Sequence, residues 1–284
     1  MTEDIRAAES LLAFWADAGV DVALADAPQD RMRPAPARPS PPARPFAPAR
    51  PQPGETSRPA TNSAPARFAA PSQATSSEGD ADAIARARAA AAACSDLDSL
   101  SAAIAAFEGC PLSLGARQAV FARGAPGAPV FVIGEGPGSE EDLQGLPFVG
   151  RAGQLLDRMF AAAGISERVF ISNTVFWRPP GNRDPEPQEQ AVCLPFLERA
   201  IALGKPKMLL LLGACSARSM LGKKEGILAL RGRWFEWASA DGATELPALP
   251  TLHPAFLLRQ PAAKKKAWED MLLLRERLDR PQRP

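Results

Sequence analysis

Gly134-Glu135-Gly136-Pro137-Gly138 runs on through Ser139-Glu140-Glu141-Asp142 to Gly145-Leu146-Pro147-Phe148-Val149-Gly150. It follows the apolar run Val130-Phe131-Val132-Ile133 and precedes the helical pattern Gln154-Leu155-Leu156-Asp157-Arg158-Met159-Phe160. A strand therefore delivers a glycine-rich loop, and a helix begins soon after it. Glycines let backbone approach a ligand closely, and the loop presents free N–H groups to it. The acidic residues among these glycines argue against a loop built only to hold phosphate.

Working outward, the same alternation repeats. Strands are predicted at 129–134, 168–174, 207–213 and 247–252, with helices at 151–163, 187–203, 214–222 and 262–279. Short apolar strands separated by helices imply a mainly parallel four-stranded sheet covered on both faces, an α/β three-layer αβα sandwich. Such sheets bind ligands at the carboxyl ends of their strands. Three segments converge on that edge. They are the glycine loop with Phe148, the stretch Ile171-Ser172-Asn173-Thr174 with the turn Arg178-Pro179-Pro180-Gly181-Asn182-Arg183, and Thr251-Leu252-His253-Pro254-Ala255 followed by Phe256-Leu257-Leu258-Arg259.

The rest of the chain frames this domain. Residues 1–28 contain a short amphipathic helix at 4–25, with Leu11, Leu12, Phe14 and Trp15 on its apolar side. Residues 29–80 form a linker. Within it, residues 31–80 carry 12 prolines, 7 arginines and no lysine, a composition that cannot bury enough surface to order itself. Residues 81–284 are assigned to the catalytic domain with N-terminal helices, of which 81–106 is alanine-rich and helical. Net charge is +1 over 284 residues, so no global field points to nucleic acid, and any basic surface is local. Leu11 to Ala23 is interrupted by Asp17 and Asp21 and is neither a signal peptide nor a membrane span. The expectation is a cytoplasmic protein with no membrane partner. The four cysteines, Cys94, Cys110, Cys193 and Cys215, are too widely spaced for a zinc site or a disulfide scaffold.

Gly-Glu-Gly-Pro-Gly, Pro-Phe-Val-Gly, Arg-Pro-Pro-Gly-Asn-Arg and His-Pro-Ala occur in this order over residues 107–279. In this the sequence resembles the family 4 uracil-DNA glycosylases. The resemblance implies hydrolysis of the N-glycosidic bond of deoxyuridine in DNA, single- or double-stranded, leaving an abasic site. Uracil leaves as an anion, so a donor at its O2 stabilises the developing charge. His253, the only histidine, is the candidate, and a neutral imidazole N–H suffices. Asn173 offers a carboxamide that gives an N–H to O4 and accepts from N3–H; cytosine presents the reverse pattern. Phe148 is expected to stack on a base flipped out of the duplex. Gly136 and Glu135 lie beside the base pocket by resemblance. Glu141 is placed near the base C5 and Asn182, and either glutamate is a candidate to orient the attacking water. Asn182, Arg183, Leu257, Leu258 and Arg259 are expected to meet DNA, the leucines filling the gap left by the flipped nucleotide. Lys264-Lys265-Lys266 is a candidate phosphate contact.

Family 1 relatives carry a water-positioning aspartate where this chain has Gly136; its absence matches family 4 and leaves the water's activator unassigned. The chain departs from the family at the cluster. Family 4 enzymes bind a [4Fe–4S] cluster through four cysteines, whereas the matching positions here are Phe107, Cys110, Trp177 and Cys193. Four thiolates are the normal requirement, so no metal and no cofactor are expected, the aromatic rings replacing the staple. Covalent uracil-binding relatives insert a basic, histidine-containing loop after the Arg-Pro-Pro region; this chain has no such loop histidine, so no stable covalent uracil adduct is expected. The expected molecule is a monomer whose N-terminal helix docks repair or replication proteins. Two competing readings stand beside it: an inactive DNA- or uracil-binding protein that kept the fold, and a small-molecule α/β enzyme or polymerase-associated module.

Overall fold

The computed structural model describes residues 76–280. The expected N-terminal helix and most of the linker lie outside the described residues. In chain order the elements are α1 (Ser76–Ala92), α2 (Leu97–Ala105), β1 (Arg123–Gly124), β2 (Val130–Gly134), α3 (Ser139–Gln144), α4 (Arg151–Ala163), β3 (Val169–Asn173), α5 (Pro187–Gly204) and β4 (Met208–Leu212). They continue as α6 (Gly213–Leu221), α7 (Ile227–Leu230), β5 (Phe235–Ala238), β6 (Glu245–Thr251), α8 (Pro254–Arg259) and α9 (Lys264–Asp279).

The sheet order is β1-β3-β2-β4-β6-β5. The four central strands, the ones predicted, are parallel, while β1 and β5 add antiparallel edges that the apolar pattern did not reveal. β1 is only two residues long, and β5 alternates exposed and buried positions, so neither carries an apolar run. Register sets the functional edge: Gly134 pairs with Asn173, and Leu212 with Thr251. The ends of all four central strands are therefore level.

Every residue of β2, β3 and β4 is buried, as a sheet covered on both faces requires. Alternate residues serve opposite layers. Phe131, Ile133, Phe170, Leu209 and Leu211 pack with Phe196, Leu197, Ala200 and Ile201 of α5. Val130, Val132, Ile171, Leu210 and Leu212 pack with Leu156 and Phe160 of α4 and with Met271 and Leu274 of α9. Each such Leu or Phe stabilises the fold by about 1.5–3 kcal/mol. The three-layer αβα sandwich follows.

The helical region expected at 81–106 is two helices. α1 starts at Ser76, inside the expected linker, and buries Ala83, Ala87 and Ala91, one per turn, on the side that packs against α5. The break comes from Asp96. Its carboxylate accepts the Ser99 N–H at 2.7 Å, and Ser99 Oγ accepts the Asp96 N–H at 3.3 Å, a capping box that starts α2. The last predicted helix, 262–279, is preceded by the separate short helix α8, which begins directly after His253. Among the described residues, no helix is long and apolar enough to cross a membrane.

Candidate active site

The glycine loop leaves β2 at Gly134, and the space above this residue is filled by two others. A Cβ there would collide with Asn173 Oδ1 and come within 2.5 Å of Phe148 Cζ. Glycine thus lets a carboxamide and an aromatic ring meet over the strand end. Thr174 Oγ1 donates to the Glu135 carbonyl at 2.5 Å and fixes the next residue. Gly136 is less crowded, but a Cβ there would lie 2.9 Å from Val175 Cγ2, so any side chain would make Val175 shift.

Both ends of the loop are tied to Glu141 in α3. Its Oε2 accepts the Gly138 N–H at 3.1 Å, and its Oε1 accepts the Val149 and Gly150 N–H groups at 3.0 and 2.9 Å. These bonds present Phe148, whose φ of 56° lies in the left-handed region that bulky residues avoid. Arg123 holds that conformation, donating to the Pro147 carbonyl at 2.7 Å and the Phe148 carbonyl at 3.1 Å while pairing with Asp157 at 2.7 Å. Gly153, in the first turn of α4, lets the helix pack directly on the Phe148 carbonyl, where a Cβ would clash.

His253 follows β6 and faces Phe148, with ring centroids 5.8 Å apart and planes at 37°. Its Nδ1 accepts the Ala255 N–H at 3.2 Å, so the imidazole proton belongs on Nε2. Burial, with the Arg259 guanidinium, pushes its pKa down to about 4, against the pull of Glu141. The ring is neutral at physiological pH. Strand β6 is anchored by Thr251, whose hydroxyl donates to Asp270 of α9 at 2.6 Å; Asp270 in turn receives Arg231 at 2.6 and 3.0 Å.

Glu135, Gly136, Glu141, Phe148, Asn182 and His253 border one cavity of about 460 Å³, with Arg183 and Arg259 at its margin. Asn173 lies beneath, 1% exposed, and its Oδ1 is the one buried side-chain polar atom among the described residues without a hydrogen-bond partner. A larger groove of about 590 Å³ between α1, α5 and the β5–β6 hairpin gathers none of the motif residues. The 460 Å³ site offers an aromatic face and a neutral imidazole N–H, with an unpaired carboxamide oxygen buried next to Phe148. A flat heterocycle with a donor–acceptor edge satisfies all three.

A second acidic side chain enters here. Burial, together with the nearby Asp184 carboxylate, raises Glu135 to about 7, against the guanidinium charges of Arg218 and Arg259.

At the margin, Gly181 and Asn182 both adopt positive φ, and Asn182 Oδ1 accepts from Arg178 Nε at 2.7 Å. Arg183 is committed to Glu189 through two bonds of 2.6 and 2.9 Å. Leu258 is exposed beside Arg259, but Leu257 is fully buried with Leu252 and Ala267. Leu257 therefore has no surface to offer DNA, and the expectation of a contact there is corrected: helical spacing turns it into the core.

The four positions that match the family's cluster ligands carry two aromatic and two cysteine side chains. Phe107 meets Phe196 edge-on at 5.1 Å, and its ring occupies the space above Gly109. Trp177 is buried edge-on to Phe176 at 6.2 Å. Cys110 and Cys193 are fully buried neighbours, and burial with the adjacent Cys110 thiol pushes Cys193 up. Among the described residues no group of three or more His, Cys, Asp or Glu side chains is arranged for a metal ion.

Arg123, Gly153, Asp184 and the Arg231–Asp270–Thr251 chain were not singled out from sequence. Asp184 alone had a signal, being next to Arg183 in the motif turn.

The sequence model of the uracil DNA glycosylase superfamily matches residues 121–272. The type-4 uracil-DNA glycosylase of Thermotoga maritima is 41% identical over 152 residues, covering 53% of this chain and 77% of that protein. The type-4 uracil-DNA glycosylase of Sulfurisphaera tokodaii is 36% identical over 193 residues (66% and 87%), and that of Pyrobaculum aerophilum 36% over 183 (63% and 92%). The matched region holds the whole site just described, and the chain belongs to the uracil-DNA glycosylase superfamily, in its type-4 branch.

Proposed function

We propose that this protein hydrolyses the N-glycosidic bond of deoxyuridine in DNA, releasing uracil and leaving an abasic site for base excision repair. The observation that carries the reading is the unpartnered Asn173 Oδ1 beneath Phe148 and beside a neutral His253. A buried acceptor without a donor costs about 1–3 kcal/mol, and uracil N3–H supplies the donor. The Asn173 amide N–H then meets O4. Cytosine offers neither match at these positions, leaving buried polar groups unpaired.

Phe148 stacks on the flipped base. Water oxygen bonds to C1′ as the C1′–N1 bond breaks, and the bonding pair leaves with uracil. The His253 Nε2–H donates to O2, where part of that charge gathers. Glu135, the carboxylate nearest the loop's start, orients the water and takes its proton, since Gly136 offers no side chain for that role. Glu141 acts through the loop by holding three of its N–H groups, and so sets the position of Phe148. Asn182, Arg183, Leu258 and Arg259 border the DNA, with Lys264, Lys265 and Lys266 as phosphate contacts. The reading takes the protein as a cytoplasmic monomer acting on single- or double-stranded uracil-containing DNA, with residues 4–25 offered to repair or replication machinery.

No [4Fe–4S] cluster is part of the proposal, because the Phe107 and Trp177 rings support packing in its place. Anaerobic purification with iron and sulfide analysis tests this. Roughly four irons per chain overturns it.

A uracil-containing oligonucleotide, incubated with the protein and then cleaved with alkali at abasic sites, tests the activity. Scission is expected, and it is expected to fall sharply in both His253→Ala and Asn173→Ala. No scission by the unaltered protein, with single- and double-stranded substrate, defeats the enzyme reading and favours an inactive uracil- or DNA-binding protein.

A further inference from the structure

Arg123 stands in the edge strand β1, opposite Ile171 of β3 and so two residues short of the level of Asn173. Its side chain reaches the glycine loop. Nε donates to the Pro147 carbonyl at 2.7 Å, and Nη2 donates to the Phe148 carbonyl at 3.1 Å and to Asp157 Oδ1 of α4 at 2.7 Å. One planar fork thus holds two successive carbonyls and a carboxylate, with its side chain only 23% exposed.

The Phe148 carbonyl and the Val149 N–H belong to one peptide group. Arg123 donates to its oxygen, and Glu141 Oε1 accepts from its N–H at 3.0 Å. The two ends of a trans peptide point in opposite directions, so a guanidinium and a carboxylate grip this plane from its two sides. Gly153 closes the remaining space, because a Cβ there would run into the Phe148 carbonyl. Phe148 needs such a grip. Its φ of 56° lies where an aromatic residue does not rest unaided, so contacts outside the residue must hold it.

We propose that Arg123 is a positioning residue for base excision: by holding the Phe148–Val149 peptide against Glu141, it fixes the ring on which the flipped base stacks. The inference rests on the glycosylase reading and adds to it a residue that is not among those bordering the cavity. Any effect of Arg123 on the reaction therefore passes through Phe148. A turn of the peptide plane swings the ring, and a misplacement of about 1 Å costs a bound reaction up to roughly 10²-fold. Lysine is not an equivalent, since an ammonium carries the charge without the fork that reaches all three acceptors.

The test is a double-mutant cycle on single-turnover uracil excision, with wild type, Arg123→Met, Phe148→Ala and the double variant. Arg123→Met is expected to lower the rate about tenfold, and Arg123→Lys to recover only part of that loss. With Phe148→Ala already in place, Arg123→Met is expected to change the rate less than about twofold, since the ring it positions is gone. An equal loss in both backgrounds, an unchanged rate in Arg123→Met or a full rate in Arg123→Lys overturns the proposal. If Arg123→Met does not fold, Arg123→Lys carries the same cycle. The backbone ¹³C shifts of Phe148 read its conformation without turnover. In Arg123→Met they are expected to move from left-handed values toward those of an averaging residue, and unmoved shifts defeat the positioning itself. If wild type excises no uracil, the glycosylase reading falls, and the shifts alone decide whether Arg123 holds Phe148.

Discussion

The backbone N–H of Ala255 donates to Nδ1 of His253 at 3.2 Å, and this one bond decides which nitrogen faces the cavity. Ala255 lies in the first turn of α8, where N–H groups have no intrahelical acceptor, so His253 also caps its own helix. With Nδ1 occupied as acceptor, Nε2 carries the proton, and a pKa near 4 keeps the ring neutral. Protonation would place a second donor at Nδ1, opposed to the Ala255 N–H, besides charging a buried ring.

The ¹⁵N chemical shifts of His253 are therefore expected to show the Nε2–H tautomer, with the ring unprotonated until pH falls to about 4. His253→Ala is expected to lower the single-turnover rate by roughly 10²–10³-fold, the range for losing one donor to a developing anion. An imidazolium at neutral pH in the NMR titration contradicts the assignment.

Gly134→Ala tests the meeting of Asn173 with Phe148. Its Cβ would occupy the space where Asn173 Oδ1 and Phe148 Cζ come together. One of the two must move. Uracil excision is expected to fall at least as far as in Asn173→Ala, because stacking and edge recognition are disturbed together. Free uracil is expected to lose affinity, measured by calorimetry.

The central strands and helices α4, α5 and α6 are legible because their signals are local: apolar runs, helical periodicity, and glycines where the chain turns. His253, Asn173 and Phe148 are legible because each stands beside a strand end in a motif. The edge strands are not, since β1 draws its structure from pairing with β3 rather than from its own two residues. Arg123 is not, because its acceptors lie 24 and 25 residues away and only the folded loop brings them within reach. Leu257 shows the opposite failure. Two adjacent leucines look alike in sequence, and the helix turns one into the core and the other to solvent.

Asp270 is the buried counterpart of this site. It is fully buried and is held by Arg231 and Thr251, two residues before His253. Asp270→Ala strips the Arg231 guanidinium, only 15% exposed, of its buried partner and leaves it the half-exposed Glu269 at 3.6 Å. Breaking a buried pair from one side costs about 3–5 kcal/mol, which for a domain of this size lowers Tm by roughly 10 °C or more. Differential scanning calorimetry checks it. The double replacement Arg231→Met with Asp270→Leu is expected to recover much of the loss, because no uncompensated charge remains.

Glu135→Gln separates stability from activity. The carboxyl has an ordinary pKa of 4.5 in an unfolded chain and is pushed to about 7 in the fold, by burial first and by Asp184 second. An acid raised in this way is harder to ionise when folded. Its burden on stability is absent below pH 4.5, grows as pH climbs from 4.5 to about 7, and is complete above that. Glutamine never ionises and escapes the burden. Discounting for the half-buried position, Glu135→Gln is expected to stabilise the protein by about 1–2 kcal/mol on the alkaline side of neutrality and to make no difference near pH 4.5. Uracil excision is expected to fall in the same variant. Urea denaturation at both pH values, with the alkali-scission assay alongside, measures the two effects. Equal stability of wild type and variant at alkaline pH would mean that Glu135 ionises freely in the fold, and its raised pKa would have to be abandoned.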